Sequence, residues 1–288
     1  MEEIALAPHP RDRFLALVHV DANPALAPAA LEIARIAYPD LDPGPSLRQL
    51  DGLAAAIRPH LGTAPTPADA AAIVAARLCD PLGFHGNRDD YYDPRNSFLN
   101  DVLERRTGIP ITLAVVLIEV GARLGITIEG VGFPGHFLVR TAGARGPRFF
   151  DPFFGGQELD DAALLERLRA LSGNPGGPGA TLTRVPPELL GAVTTGEILG
   201  RMLRNLLRVY LDRTEPLLAL EAVERLLLLT PDAPDELRTR AQLYERLECF
   251  AAARADYQRY LALAPEASDA RDVCTRLARL ANGAPTVH

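Results

Sequence analysis

The last third of the chain repeats itself at a constant offset. When the sequence is shifted by 34 positions, the segment LLLLTPDA aligns with YLALAPEA. The shift superimposes Tyr210 on Tyr244, Ala219 on Ala253, Arg225 on Arg259, Leu227 on Leu261, Leu229 on Leu263 and Pro231 on Pro265. A repeat of this length, rich in helix-forming residues and ending in proline, predicts stacked pairs of helices. Residues 195–281 are therefore expected to form an all-helical region.

A second constraint is the apolar stretch Ile109–Leu124 in the middle of the chain. Its residues are apolar nearly all round, which predicts a central helix that begins at Pro110. Three short β-like runs follow this helix: Ile126–Phe133, His136–Thr141 and Arg148–Phe150. Pro134 and Gly135 predict a turn between the first two runs. Residues 96–171 are therefore expected to fold as a small antiparallel sheet packed on a central helix.

The remaining segments predict further helices and a linker. Apolar residues at spacings of three and four predict helices at Arg11–Val20, Leu26–Tyr38, Ser46–Leu61 and Pro67–Leu78. Thr66 is suited to cap the last of them. Residues 172–187 are half proline and glycine, which predicts a linker. The predicted fold class is α+β, with a helical region over 1–95, a mixed core over 96–171 and an all-α region over 195–281.

The charge and composition of the chain exclude several classes of function. All 30 basic residues are arginine, which excludes Schiff-base chemistry through lysine and a Walker-type phosphate lysine. The net charge of −7 argues against nucleic acid as a partner. No stretch is apolar over the roughly 18 residues that a membrane span needs. The N-terminus lacks a signal-peptide pattern, so we expect a cytoplasmic protein without a membrane partner.

The three cysteines, Cys79, Cys249 and Cys274, lie far apart in the sequence. Because they form no cluster with histidine, neither a metal site nor a cofactor is expected. Cys249 and Cys274 fall in helical patterns and are expected to be buried. Cys79 precedes Asp80 and Pro81, which mark the end of a helix. At that end the helix dipole does not stabilise a thiolate, which disfavours Cys79 as a nucleophile.

His136 and Asp151 form the candidate site. They lie at the ends of neighbouring predicted strands, so strand pairing is expected to bring them side by side. Acyl transfer through cysteine requires a thiolate at a helix N-terminus, a histidine that accepts its proton and a carboxylate that orients the histidine. The helix that begins at Pro110 precedes the pair, but residues 109–112 include no cysteine.

Three motifs carry a resemblance to a known family: NSFLNDVLERRTGIPITLAVVLIEVGARLG, GVGFPGHFLVR and FFDPFFGG. They resemble the transglutaminase-like superfamily, whose papain-like core orders a cysteine on a helix, then a histidine and an aspartate on neighbouring strands. The particular resemblance is to the bacterial SirB1 family. In that family tetratricopeptide-like helices follow the core, and the repeat at 195–281 resembles them. The resemblance implies that His136 and Asp151 are the superfamily's histidine and aspartate, and it places the missing cysteine near Pro110 to Thr112.

Thr112 has a hydroxyl, and two roles are open to it. It can attack as a weak nucleophile with His136 as its base, although a threonine hydroxyl is far less acidic than a thiol. Alternatively, it can form a cap-like hydrogen bond in the first turn of the helix. His136 and Asp151 are likewise open to a purely structural role. The residues that either line this cleft or belong to a surface loop are Tyr91, Tyr92 and Asn96.

Two functions are consistent with these observations. The first is a pseudoenzyme whose core has lost cysteine chemistry, keeps a His–Asp cleft for binding and presents helical repeats to a protein or peptide partner. The second is a hydrolase or acyltransferase on peptide-like amides that uses Thr112, or a water, with His136 and Asp151. The two differ in whether amide, ester and amine-donor substrates are turned over.

Overall fold

The computed structural model describes residues 10–19, 25–62, 66–144, 146–171 and 182–282. The chain divides into two compact units, which we call the core unit and the repeat unit. The core unit is Leu17–Met202, and the repeat unit combines Leu203–His288 with Met1–Ala16. No helix in the described ranges combines the length and the apolar character that crossing a bilayer requires.

Helices precede the predicted linker wherever the sequence predicts them, although the second and the third end four residues earlier than predicted. They are α1 (Pro10–His19), α2 (Leu26–Ala34), α3 (Pro43–Ile57), α4 (Pro67–Cys79), α5 (Leu99–Arg105), α6 (Pro110–Leu124) and α7 (Asp161–Leu171). Helix α4 begins where the sequence predicts, because the amide of Asp69 donates to the hydroxyl oxygen of Thr66 at 3.2 Å. Helix α3 begins earlier than predicted, at Pro43 instead of Ser46. There the carboxylate of Asp42 accepts a hydrogen bond from the amide of Gly44 at 2.9 Å and caps the helix.

Helix α6 lies at the centre of the core unit, where α2, α3, α4 and α5 all contact it. It begins at Pro110, a first-turn position that suits proline because no helical partner exists there for an amide hydrogen. It ends before Gly125, whose φ of 77° is a left-handed conformation that glycine adopts without strain. Its first two turns are buried on every side, so apolar burial stabilises this helix all round.

Two small sheets contact α6. Their strands are β1 (His85–Gly86), β2 (Thr107–Gly108), β3 (Glu129–Val131), β4 (Leu138–Thr141), β5 (Arg148–Asp151) and β6 (Gln157–Leu159). Strands β3 to β6 form an antiparallel sheet in sequential order, with Val139 opposite Phe150 and Phe150 opposite Glu158. Strands β1 and β2 form a separate parallel pair. Because α6 contacts β3 and β4, the predicted antiparallel sheet on a central helix is confirmed.

An apolar cluster joins the four-stranded sheet to α7 and to the segment after residue 181. Its buried side chains are Val131, Phe133, Leu138, Phe149, Leu159, Leu164, Leu168 and Val185. Val185 belongs to the predicted linker, and its burial shows that this end of the linker packs on the sheet. Residues 172–181 of that linker lie outside the described residues. The predicted boundaries stay a prediction: 1–95, 96–171, 172–187 and 195–281.

The repeat unit is a stack of helices. They are the end of α8 (Thr195–Asp212), α9 (Pro216–Leu229), α10 (Pro234–Arg246), α11 (Phe250–Leu263) and α12 (Ala270–Asn282). Helix α10 contacts α9 and α11, and α11 contacts α12. Both ends of α11 lie one repeat period after those of α9, and α10 ends one repeat period after α8. Ala219 and Ala253, which the repeat superimposes, are both completely buried. The predicted α+β fold class, with an all-α region at the end of the chain, is confirmed.

Candidate functional site

The antiparallel pairing of β4 and β5 brings His136 and Asp151 together. Asp151 is the last residue of β5, and His136 lies just before β4. Nε2 of His136 lies 2.9 Å from Oδ2 of Asp151. The Asp151 side chain is completely buried, whereas the His136 side chain is 15% exposed. The histidine therefore lies at the surface end of the pair, where a ligand or water can reach it.

Asp151 is surrounded by hydrogen-bond donors. Its Oδ1 accepts from the backbone amides of Phe153 at 3.0 Å and Phe154 at 3.2 Å. Its Oδ2 also accepts from the guanidinium of Arg167 on α7. A carboxylate is only an acceptor, so His136 must donate to it through Nε2–H. In neutral His136 this leaves the lone pair on Nδ1, which can take a proton from a water or a ligand. Within the described residues, Nδ1 of His136 has no hydrogen-bond partner.

Arg201 on α8 holds the loop that carries His136. Its Nη2 donates to the carbonyl of Phe133 at 3.1 Å and to that of His136 at 2.8 Å. The guanidinium carbon also lies 5.5 Å from the centre of the Phe137 ring. Burial lowers the pKa of the Arg201 guanidinium. The backbone of His136 is thus fixed by a side chain that lies 65 residues further along the chain.

Two phenylalanines pack on His136. The Phe153 ring meets the histidine ring edge-on at a centroid distance of 6.0 Å, and the Phe154 ring lies 5.8 Å away. Phe153 also lies against Gly86 in β1, where a Cβ atom would overlap the ring. Gly86 pairs with Gly108, just before α6. The Phe153 ring therefore contacts both the His136 ring and the strand pair that leads into α6.

The first turn of α6 is sealed from solvent. Ile109, Ile111 and Thr112 are 3%, 1% and 0% exposed. The Thr112 hydroxyl donates to the carbonyl of Asn96 at 2.6 Å and accepts from the amide of Ile109 at 3.2 Å. The structure thus places Thr112 as a cap-like hydrogen bonder of the helix, and its hydroxyl makes no hydrogen bond to His136. Its proposed part in catalysis stays a prediction.

The loop before α5 is organised by Asn96, which is completely buried. Its Nδ2 donates to the carbonyls of Asp90 at 2.7 Å and Tyr91 at 3.2 Å. Tyr91 and Tyr92 are exposed, and the Tyr91 ring lies 6.1 Å from that of Phe153. The two tyrosines therefore belong to the surface beside His136, and the buried Asn96 holds their loop through these hydrogen bonds.

The cysteines do not supply a reactive thiol to this site. Burial, followed by the negative charge of Asp151, raises the pKa of the Cys79 thiol to about 11. Cys249 and Cys274 are exposed, so the expectation that they are buried is wrong. Cys249 is the N-cap residue of α11, in the turn before that helix, and Cys274 lies on the exposed side of α12. Among the described residues, no three histidine, cysteine or acidic side chains are grouped to hold a metal ion.

Arg167 and Arg201 are the site residues that sequence reasoning missed. Arg201 acts across 65 residues, and Arg167, which is 16 residues beyond Asp151, acts from a separate helix, so a linear pattern reveals neither contact. One signal was available for Arg167: it follows the buried Leu164 by one helical turn, which places a charge at the edge of the apolar face of α7. A charge in that position requires a partner, and Asp151 provides it.

Comparison with known proteins covers both units. Residues 45–204 match the transglutaminase-like superfamily, and residues 206–278 match the tetratricopeptide repeat. The chain is 40% identical to a UPF0162 protein of Xylella fastidiosa strain 9a5c, over 93% of this chain and 94% of that protein. It is 35% identical to a UPF0162 protein of Pseudomonas aeruginosa, over 90% of this chain and 92% of that one. It is also 34% identical to human F-box only protein 21, over 59% of this chain and 27% of that protein.

Proposed function

The chain belongs to the transglutaminase-like superfamily, and we propose that it is an interaction or regulatory protein whose core does not use cysteine chemistry. The sealed first turn of α6 carries this proposal. In the position where the resemblance places the nucleophile, Ile109 and Ile111 are buried apolar residues, and the Thr112 hydroxyl is bonded to Asn96. A nucleophile must reach its substrate and give up its proton. The burial of Thr112 and its hydrogen bond to the Asn96 carbonyl argue against both at this helix start.

The repeat unit supports a protein or peptide partner. Tetratricopeptide repeats generally mediate interactions between proteins, and stacked helix pairs offer an extended surface for them. Exposed large apolar side chains in this unit are Leu211, Leu217 and Leu263. Each of them is a candidate contact residue for a partner, because it presents apolar area to solvent. The narrower resemblance to the SirB1 family and the cytoplasmic location are part of the same proposal.

A second candidate function, a hydrolase of peptide-like amides, is favoured by the geometry of His136. Asp151 orients the ring through Nε2, and Nδ1 has no partner in the described part of the chain. This arrangement suits a general base that activates a water. The version that uses Thr112 requires its hydroxyl to leave the carbonyl of Asn96 first. We therefore rank water ahead of Thr112 as the attacking group.

Turnover separates the two functions. If the protein is an interaction or regulatory protein, the whole protein releases no product above a buffer control when it is incubated with generic amide, ester and amine-donor substrates. Turnover that is abolished by His136→Ala and retained by Thr112→Val would establish the water-based hydrolase and reject the first function. Turnover that both variants abolish, while Thr112→Val keeps the circular dichroism spectrum of the native protein, would identify Thr112 as the nucleophile.

Partner capture tests the role of the repeats. The whole chain is used as bait in cells that naturally contain it, beside a variant in which Leu211, Leu217 and Leu263 are all changed to aspartate. The variant is expected to lose the partner while keeping its helical circular dichroism spectrum. His136→Ala, the matched control in the core unit, is expected to keep the partner. If His136→Ala lost the partner and the leucine variant kept it, the result would contradict a partner that is bound by the repeats.

A further inference from the structure

Exposed aromatic side chains gather beside His136. Tyr91, Tyr92 and Phe154 are 40%, 54% and 37% exposed. We call these three residues the aromatic patch. In the described part of the core unit, no other large apolar side chain is exposed to this extent. Single exposed apolar residues are common on protein surfaces, but adjacent ones mark a place where a ligand binds.

The rings of the patch are continuous through Phe153, which forms its floor. Ring centroids are separated by 5.4 Å between Tyr91 and Tyr92, 6.1 Å between Tyr91 and Phe153, and 5.1 Å between Phe153 and Phe154. Together these separations extend over at most about 17 Å, the length of about five residues of extended peptide. The His136 ring lies 5.8 Å from Phe154, at one end of this series.

Two arginines lie beside the patch, and one of them has no carboxylate partner among the described residues. The guanidinium carbons of Arg88 and Arg167 lie 4.6 Å and 4.9 Å from the centre of the Phe154 ring. The charge of Arg167 is balanced by Asp151. Arg88 is exposed and makes no ion pair with any described residue. A guanidinium stacked on a ring keeps the N–H groups at its edge for a planar acceptor, and a carboxylate is such an acceptor.

We propose that the aromatic patch binds a short peptide segment with an apolar side chain and a single carboxylate, which Arg88 holds. The inference rests on the proposed function and extends it, because it assigns a class of ligand to the surface beside His136. The aromatic rings contact the apolar side chain of the peptide, and the stacked guanidinium of Arg88 donates hydrogen bonds to its carboxylate. The length of the patch suits about five extended residues.

A nucleic acid strand fits this surface less well, although aromatic rings with arginine also suit stacked bases. A strand carries one negative charge per nucleotide and needs several cations. Arg88 is followed directly by Asp89 and Asp90, both of which are exposed residues. The surroundings therefore tolerate one carboxylate held by Arg88 and disfavour a run of phosphates.

Matched peptides test the proposal. Five-residue peptides with blocked ends, each with one phenylalanine and one aspartate, are compared with the same peptides carrying asparagine. Binding to the whole protein is measured by fluorescence polarisation. We expect the acidic peptide to bind about tenfold more tightly than its amide counterpart. Arg88→Gln is expected to remove this difference, and Tyr92→Ala is expected to weaken both peptides.

The control is Arg48→Gln, which removes the same charge from an exposed residue of α3 and is expected to keep the tenfold difference. The proposal would be overturned if the two peptides bound with equal affinity or if neither bound. It would also be overturned if Arg48→Gln removed the tenfold difference as Arg88→Gln does. Tighter binding of a five-nucleotide single strand would overturn it in favour of nucleic acid. None of these measurements involves turnover or the repeats, so their failure is distinguishable from failure of the proposed function.

Discussion

Thr214 and Glu248 adopt the same left-handed backbone conformation one repeat period apart, with φ values of 58° and 59°. Thr214 lies in the turn after α8, and Glu248 lies in the turn after α10. The hydrogen bonds that close the two turns are also equivalent: Glu215 N to Tyr210 O at 2.9 Å and Cys249 N to Tyr244 O at 2.8 Å. The repeat therefore extends to the backbone of its turns, where neither residue is the glycine that such a conformation favours.

Glycine at these positions is expected to stabilise the protein. A left-handed conformation costs an L-residue roughly 1–2 kcal/mol, and the greater freedom of glycine in the unfolded chain offsets part of the gain. Thr214→Gly and Glu248→Gly should each raise the free energy of unfolding by about 0.5 kcal/mol or more, measured by urea denaturation. Thr214→Ala and Glu248→Ala keep the Cβ atom and should give no such gain. A loss of stability in both glycine variants would show that the turns depend on these side chains.

Thr112→Val is expected to destabilise the core unit. The substitution keeps the shape of the side chain but removes one hydrogen-bond partner from the Ile109 amide and one from the Asn96 carbonyl, which then keep only the 3.4 Å hydrogen bond between them. Each hydrogen bond that is lost costs about 0.5–1.5 kcal/mol, and the hydroxyl makes one to each of these two groups. Thr112→Ser keeps the hydroxyl and should cost less, about 1 kcal/mol for the lost methyl group. Chemical denaturation that ranks serine as the more damaging change would contradict a capping role for this hydroxyl.

Cys79 is expected to resist alkylation near neutral pH. With a thiol pKa of about 11, fewer than about one thiol in a thousand is a thiolate at pH 7.5. Iodoacetamide should therefore label the exposed Cys249 and Cys274 first, as mass spectrometry of the digested protein will show. Labelling of Cys79 should rise as the pH approaches 11.

Asp151→Asn tests the electrostatic cause of that shift. The negative charge of Asp151 favours the neutral thiol, so its removal should lower the pKa of Cys79 and speed its labelling at a given pH. Burial is the larger cause, so the thiol should stay less reactive than the two exposed cysteines. Labelling is compared under native conditions and in denaturant, where all three thiols should react alike. Native labelling of the half-buried Cys79 as fast as that of Cys249 would contradict the raised pKa of its thiol.

The sequence predicted the fold best where the signals are local. Pro110 and Gly125 mark the two ends of α6 within the sequence itself, and the structure has that helix where it was expected. The constant offset of the repeat likewise predicted the paired helices of the repeat unit. Strands β1, β2 and β6 were not predicted, because strands of two or three residues carry no measurable alternation. The pairing of β1 with β2 also joins residues as far apart in the sequence as His85 and Thr107.

The site was predictable only in part, for the same physical reason. His136 and Asp151 follow from two strands that are adjacent in sequence, so their proximity could be expected. Arg201 lies 65 residues beyond His136, and Arg167, although only 16 residues beyond Asp151, lies on a helix whose contact with the pair depends on the tertiary fold. The position of Cys274 depended on which side of α12 faces solvent, and the helical pattern around it did not decide this.

Arg167 is expected to be the side chain on α7 that stabilises the His136–Asp151 pair. Asp151 is completely buried, and Arg167→Met would leave its carboxylate without its cationic partner. Losing a hydrogen bond to a charged group costs about 1.5–3 kcal/mol. Arg169→Met is the matched control, because Arg169 donates to the carbonyl of Leu182 at the exposed surface. Surface changes of this kind stay within about 0.5 kcal/mol.

A double-mutant cycle identifies the cause of that loss. In an Asp151→Asn background the buried charge is already gone, so Arg167→Met should cost much less than it does in the native protein. Urea denaturation of the four proteins measures the coupling between the two side chains. Equal costs in both backgrounds would show that Arg167 stabilises α7 through packing on Phe154 alone, since its guanidinium also lies 4.9 Å from the centre of that ring. A smaller cost of Arg167→Met in the Asp151→Asn background would show that Arg167 stabilises the carboxylate that orients His136.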